Sequence, residues 1–398
     1  MAEQKPLTPS GLIWKRLKRN IPAMAGLTII CVAAFISVFC FLIIPDQSPD
    51  ANEMNLSLST LPPGTSVNVI RVPVTVQLND PGFLKGIFIG RPSQYRDIPY
   101  NTLKIVNDTV RYSEFSHDAD AEINHIAVPL WELFTGTVNY SLAGGVLTFT
   151  NLNNLKVSIN GKEAREIFLS ERIQSRTFLL GTDRFGRDLL SRIFAGTRIS
   201  MSVGFIAVVI SLIIGIIMGS LAGFFRGKTD DIIMWLTNVI WSIPTLLLVI
   251  AITMALGKGF AQVFIAVGLT MWVEVARVVR GQIFSLREME FVEAGRALGF
   301  TNFRIVLRHV LPNIMSPVIV IAASNFASAI LLEAGLSFLG MGAQPPTPSW
   351  GMMIKENYGY IIVDAAYLAI YPGLAIMFMV LAFTWLGNGL RDALDQKF

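Results

Sequence analysis

The densest set of candidate metal ligands is His117, Asp118, Asp120, Glu122 and His125, two imidazoles and three carboxylates in one short stretch. Their spacing fits neither a helical His-x-x-x-His pair nor a finger pattern, so they read as a solvated acidic loop. The chain has no Gly-x-x-x-x-Gly-Lys-Ser/Thr phosphate loop, no His-Glu-x-x-His and no Ser/His/Asp arrangement. No catalytic residue, cofactor or metal site of its own is therefore expected. The informative chemistry is non-covalent. Glu293, Ala294, Gly295, Arg296, Ala297, Leu298 and Gly299 form a charged, helix-prone segment with small residues that let another surface approach the backbone. Gly299 stands where a helix ends in a left-handed residue. Thr301 and Asn302 can cap a second short helix running to His309. Leu311 and Pro312 then restart an apolar run, with proline suited to a first helical turn. The pattern predicts a helix from 277 to 297, a turn and a shorter helix, with His309 as a packing or capping residue. Such a unit reads either as a docking element, where a bare linker would suffice, or as a solvated loop with ordinary capping.

The elements that position it are read from hydropathy. Of 398 residues, 53% are hydrophobic and only 15% charged, against about 25% charged in a soluble domain. Apolar runs at 21–44, 200–225, 232–256, 260–279, 312–332 and 367–390 are each long enough to cross a bilayer, which takes about 20 residues. The first is too long, and lacks the small-residue cleavage site, for a signal peptide. Residues 12–17 form a short interfacial helix leading into it. The chain thus reads as an all-α polytopic membrane protein with six transmembrane helices. Basic residues set its orientation. Lys5, Lys15, Arg16, Lys18 and Arg19, then Arg226 and Lys228, then the arginines from Arg277 to Arg308, then Arg391 and Lys397 all fall on one side; Lys258 stands alone on the opposite turn. The positive-inside rule puts both termini in the cytoplasm, and the formal charge of +4 needs no nucleic acid to explain it. Cys31 and Cys40, about 13 Å apart along a helix, cannot pair with each other and read as inert buried thiols.

About 150 residues between the first two runs lie on the opposite, extracytoplasmic side. Alternation at 67–76, 147–150 and 156–162 marks strands of an α+β or β-rich insert, with Asn160 and Gly161 as a hairpin turn. Pro62, Pro63, Pro81 and Gly82 punctuate it. The domain reading is a cytoplasmic amphipathic N-terminus (1–20), a first span (21–45), the insert (46–178) and a core (179–398) containing the loop at about 280–312. Within the spans, Asn238, Ser242, Ser324, Asn325 and Ser328 are polar in apolar surroundings; they either join helices or line a path through the membrane. Asp230 and Asp231 favour a helix N-terminus, Glu274 pairs with Arg277 one turn on, and Pro244 and Pro317 kink their spans.

Several motifs agree in order and spacing. Glu293, Ala294, Gly299, Leu311 and Pro312 match the coupling loop of ABC-importer permeases, with Gly295 in place of the second alanine, a swap read as tolerated. The block from Leu180 through Gly181, Thr182, Asp183, Gly186, Arg187 and Asp188 to Gly196 and Arg198 resembles the signature before the second span of C-type permease subunits in the dipeptide, oligopeptide and nickel group. On physics alone its glycines permit tight turns, and its Gly-Thr-Asp and Gly-Arg-Asp triplets read as anion-binding turns or capped helix starts, or the whole block simply as an ordered interfacial re-entry to the membrane. Residues 332–340, 344–351, Pro372, Gly373 and 387–392 extend the resemblance, with Asn388 where that group usually has aspartate. It covers 1–45 loosely and about 179–398 strongly; the insert has no counterpart.

The resemblance implies a type I importer permease in the bacterial inner membrane, multi-pass and not itself an enzyme. It also implies a homologous B-type permease subunit, two cytoplasmic ATPase subunits carrying ATP and magnesium, an extracytoplasmic substrate-binding protein and surrounding membrane lipid. Cargo, most simply di- or oligopeptides, would cross by alternating access as the loop around Glu293 moves. The insert would add contact with the binding protein or restrict which one docks. Two other readings compete: a secondary carrier without an ATPase, and a membrane-anchored receptor or scaffold working through its insert.

Overall fold

The computed structural model describes residues 9–74, 81–116, 124–150, 155–257 and 259–394. Residues 117–123 of the histidine–acid cluster, and Lys5, Lys258 and Lys397, lie outside the described residues. The chain divides into two compact units, one of 1–37, 196–356 and 369–398, the other of 38–195 and 357–368.

Helix α1 (Pro9–Arg19) leads into α2 (Ile21–Ile43), and the Asn20 side chain accepts from the amide of Ala23 at 3.1 Å, capping α2. Cys31 is exposed and Cys40 buried, so only the second fits the expectation of two buried thiols. A fully apolar helix directs its whole circumference to lipid or neighbours, so either environment suits a thiol there.

The second unit is built on antiparallel strands. Its order is β1 (Thr65–Pro73), α3 (Phe83–Ile89), β2 (Tyr95–Val106), β3 (Thr109–Glu114), β4 (His125–Pro129), α4 (Leu130–Thr135), β5 (Tyr140–Ala143), β6 (Val146–Thr150), β7 (Lys156–Asn160), α5 (Gly161–Ile167) and β8 (Ile173–Phe178). Five strands pair in the order β4-β3-β2-β1-β8, and three as β5-β6-β7. Strand β1 is central and buries both faces. Val67 and Val69 pack with Leu58, Leu61 and Phe178, while Ile70 enters a core with Val110, Leu130, Trp131, Phe134, Leu147 and Phe168. The expected hairpin turn at Asn160 is not formed. Asn160 instead caps α5, accepting from the Lys162 amide at 2.9 Å. Asparagine suits both roles, and the helix formers Lys162, Glu163, Ala164 and Arg165 that follow decide between them.

The first unit continues with α6 (Leu189–Phe225), α7 (Gly227–Trp241), α8 (Thr245–Leu256), α9 (Phe260–Leu286), α10 (Glu290–Ala297), α11 (Asn302–Ile305), α12 (Met315–Phe338), α13 (Trp350–Asn357) and α14 (Tyr367–Leu394). Among the described residues, five helical stretches are long and apolar enough to span a membrane, or six if α7 and α8, bent by 93° at their junction, count as one. Pro244 stands at that break: it cannot donate, and as the N-cap of α8 it is itself extended, at ψ +124°. Pro317 does not kink its helix, because it lies in the first turn of α12, where its missing N–H has no intrahelical acceptor. Glycines 215, 219 and 223 form a stripe on α6 through which α9 approaches; a Cβ there would overlap Val275, Val279 or Ile283. Gly196 is likewise helical and packs against Trp350, so it makes a close contact where a tight turn was expected.

Candidate functional site

The docking segment is held at both ends. Helix α9 does not run unbroken to 297 as the sequence suggested; it stops at Leu286, and α10 begins afresh at Glu290. Distant partners take over at the break. Arg287 donates to the Phe224 carbonyl at 2.6 Å, and Glu288 pairs with Arg226 at 2.7 Å. Helix α10 ends in a Schellman motif: the Phe300 amide donates to the Gly295 carbonyl at 3.0 Å and Gly299 to Arg296 at 2.9 Å, with Gly299 at φ +75°. Thr301 caps α11 through the Arg304 amide, and His309 stacks on Phe300 at 5.9 Å. A wide turn over Val306–Val310 and a tight one over Leu311–Ile314, which includes Pro312, lead into α12.

Val292, Ile305, Val310 and Ile314 bury their side chains in one core with Phe224, Val275, Val279, Ile283 and Val318. The element is thereby clamped to α9 and α12. Gly295 is buried beneath it. Glu293, Ala294, Arg296, Ala297, Leu298 and Gly299 face outward, as does Pro312, with Leu311 half-buried. Phe303 is 75% exposed and Leu298 72%. Both stand out from an element whose other side is anchored in that core.

The polar span residues do not form one cluster. Ser324 and Ser328 are one turn apart and exposed on α12, whereas Asn325 between them is buried. Ser324 lines a cavity with Gln282, Ser316 and Arg391. Ser328 lines a different one, of about 300 Å³, with Trp241, Thr245, Thr270 and Glu274. Asn238 and Ser242 are exposed, but Asn238 accepts from Arg277 at 2.6 Å, and the guanidinium lies 3.7 Å from the Trp241 ring centroid. The expected Glu274–Arg277 pair is therefore absent: Arg277 turns to α7, where an amide and an aromatic face engage it together. Asp230 goes beyond its expected effect on the helix terminus, since Arg280 donates to both its oxygens at 2.5 Å.

The profile of the family described as "Binding-protein-dependent transport system inner membrane component" matches residues 211–398, and that of the "N-terminal TM domain of oligopeptide transport permease C" matches 8–63. The glutathione transport system permease protein GsiD of Pectobacterium atrosepticum is 43% identical over 218 residues, 55% of this chain and 72% of that protein. The dipeptide transport system permease protein DppC of Alkalihalophilus pseudofirmus is 42% identical over 57% of this chain and 75% of its own length. The chain belongs to the peptide-type permeases of binding-protein-dependent ABC importers. An inward-facing MetNI methionine ABC transporter aligns with a TM-score of 0.43 and 18% identity, over 52% of this chain and 98% of that one.

The permease carries further polar structure that the motifs did not announce. Glu333 lies one residue past the end predicted for its span, inside α12 and fully buried. It accepts from Ser337 at 2.7 Å and Ser200 at 3.3 Å. The block around Asp183 is a buried knot with no anion-binding turn. Asp183 accepts from the Phe185 and Arg187 amides and pairs with the Arg187 side chain at 2.6 Å, both side chains 2% exposed. Asp188 caps α6, accepting from the amide and hydroxyl of Ser191, the capped helix start that was one reading of this block. In the insert, a cavity of about 590 Å³ is lined by Asp46, Glu53 and Asp97 together with Arg71, Arg91 and Arg176. Arg176 bridges Glu53 at 3.2 Å and Asp97 at 3.0 Å. Burial raises the Glu53 carboxyl above its ordinary range, opposed by the charge of Arg176 and reinforced by Asp46 and Asp97. Among the described residues no group of three or more His, Cys, Asp or Glu is arranged to hold a metal ion.

Proposed function

We propose that this permease carries di- or oligopeptides inward, lining one half of a path whose other half is a homologous B-type subunit. Two ATPase subunits, carrying ATP and magnesium, dock on α10 and α11, and an extracytoplasmic binding protein delivers the cargo. The permease names of its relatives, which include glutathione, dipeptide and di/tripeptide systems, support the cargo class. In this reading the bent pair α7–α8 is one span, making six, and both termini are cytoplasmic. The domains follow as 1–20, 21–45, the insert at 46–178 on the outer side, and the core at 179–398.

One observation carries the coupling role: the α10–α11 element shares a core with α9 and α12 while presenting Glu293, Ala294, Arg296, Ala297, Leu298 and Phe303 outward. Force applied to that face by a closing ATPase dimer reaches two spans through packed side chains, which transmit displacement where a loose linker would absorb it. Gly295, Gly299, Leu311 and Pro312 shape the element, and Asn238, Ser242, Ser324, Asn325 and Ser328 are the proposed polar surroundings of the path. The test is affinity purification of the tagged permease from its own cells in mild detergent. Wild type should retain a second permease and two ATPases; Glu293→Lys and Phe303→Ala should each retain the second permease but lose the ATPases. A Phe303 anchor at the centre of such a contact is worth about 2 kcal/mol or more, roughly thirtyfold in affinity. ATPases retained at wild-type levels by both variants would exclude this face as the docking site.

A further inference from the structure

We propose that Glu274 holds a primary ammonium group of the cargo during passage, an inference that rests on the peptide reading above. Glu274 is the fifteenth residue of the 27-residue α9. It is exposed, and it makes no hydrogen bond or ion pair with another described residue. Its nearest basic neighbour along the helix, Arg277, is engaged by Asn238 and Trp241. An ionised group within a span is costly unless a partner or water meets it, and such groups mark functional paths. Here no described residue meets it, which leaves the carboxylate open to water or to a partner from outside the chain.

The surroundings favour a small cation. The cavity of about 300 Å³ is walled by three elements: the break between α7 and α8, the middle of α9, and α12. Glu274 is the one charged side chain in its lining; Trp241, Thr245, Thr270 and Ser328 are among the rest. A carboxylate only accepts hydrogen bonds, and an ammonium supplies three donors that hydroxyls such as those of Thr245 and Ser328 can share. The Trp241 ring lines the same wall, with one face already covered by Arg277. The volume lies at the lower limit of small-molecule sites, which suits the end of a peptide better than its whole length. The 93° bend at Pro244 brings Trp241 and Thr245 to the same wall, so the α7–α8 break that interrupts the span also builds the site.

The test is ATP-driven uptake by the complete importer in proteoliposomes, with cargo saturating the binding protein. Tri-alanine is compared with propionyl-alanyl-alanine, the same molecule lacking only its ammonium. Wild type should move tri-alanine about tenfold faster, equivalent to about 1.4 kcal/mol. Glu274→Gln should bring tri-alanine down to the rate of the des-amino cargo and leave that rate unchanged, and Glu274→Asp should keep the preference. Propionyl-alanyl-lysine separates two sources of the same chemistry: uptake at the tri-alanine rate assigns the site to any primary ammonium, uptake at the des-amino rate to the peptide amino terminus. A Glu274→Gln variant that slows both cargoes equally, or that loses its second permease, would overturn the proposal in favour of a structural or interface role. Wild type that takes up no peptide at all would instead remove the peptide reading beneath it.

Discussion

Arg176 shows how much one side chain can hold. It is 23% exposed and bridges two carboxylates, Glu53 and Asp97, that are 26% and 11% exposed. Removing the bridging cation leaves the two carboxylates side by side, with only the longer contact of Arg71 to Asp97 at 3.6 Å in its place, which costs about 3 kcal/mol. Arg176→Met is therefore expected to unfold the insert well before the rest of the chain, visible as an early transition in scanning calorimetry of the full permease in nanodiscs. Glu53→Gln should behave differently. Burial raises the Glu53 carboxyl, so the folded state binds its proton more tightly than the unfolded state does. Stability from this group is present below the ordinary glutamate range and is lost as pH rises through the raised value, the reverse of ordinary acid unfolding. Between about pH 4.5 and pH 7 the wild-type insert should lose stability relative to Glu53→Gln. A difference that shrinks with rising pH would mean that Arg176 outweighs burial.

Helix α10 tests how local sequence and tertiary packing share control of an element. Gly295 is the one residue of its docking pattern that departs from the alanine expected there. A Cβ built on it meets Ile305 at 3.5 Å and Phe300 at 3.7 Å, ordinary contacts with no displacement. Gly295→Ala should thus stabilise α10 by up to about 1 kcal/mol, slowing amide exchange across the helix about fivefold. Faster exchange would mean that the glycine answers a strain the packing hides. Much of this element was legible in the sequence because capping is local: Gly299, Thr301 and Pro312 act within a turn of where they stand. The break at 287–289 was not legible, since it is fixed by Phe224 and Arg226, some sixty residues earlier. The Glu274–Arg277 pairing failed for the same reason. Spacing on one helix cannot reveal that Asn238 and Trp241, on another, will take the arginine. The 93° bend shows the intermediate case: Pro244 announces a kink, but its size is set by what α7 and α8 pack against.

At the scale of the molecule, the insert asks whether an added domain can be removed from a permease. Its first and last strands are neighbours: Thr65 pairs with Phe178 and Ile70 with Ile173 in one antiparallel ladder. The chain enters and leaves side by side, and most of the insert's core, from Val110 to Phe168, belongs to residues between those strands. Joining Ile70 to Ile173 through Asn-Gly would turn β1 and β8 into a two-residue hairpin of the favoured type. Val67 and Val69 would still cover Leu58, Leu61 and Phe178. If the insert serves the binding protein, this shortened permease should still hold its ATPases and hydrolyse ATP, while its affinity for the loaded binding protein falls tenfold or more, measured by surface-immobilised titration in nanodiscs. Unchanged affinity and uptake would release the insert from that role. Loss of the ATPases would make it part of the permease fold itself. The outcome matters because one family match ends at 63, inside the insert, and the other begins only at 211, within α6. Between those points the strands from β1 to β8 follow from this chain's own residues, and a role for them has to be argued from physical chemistry and then measured.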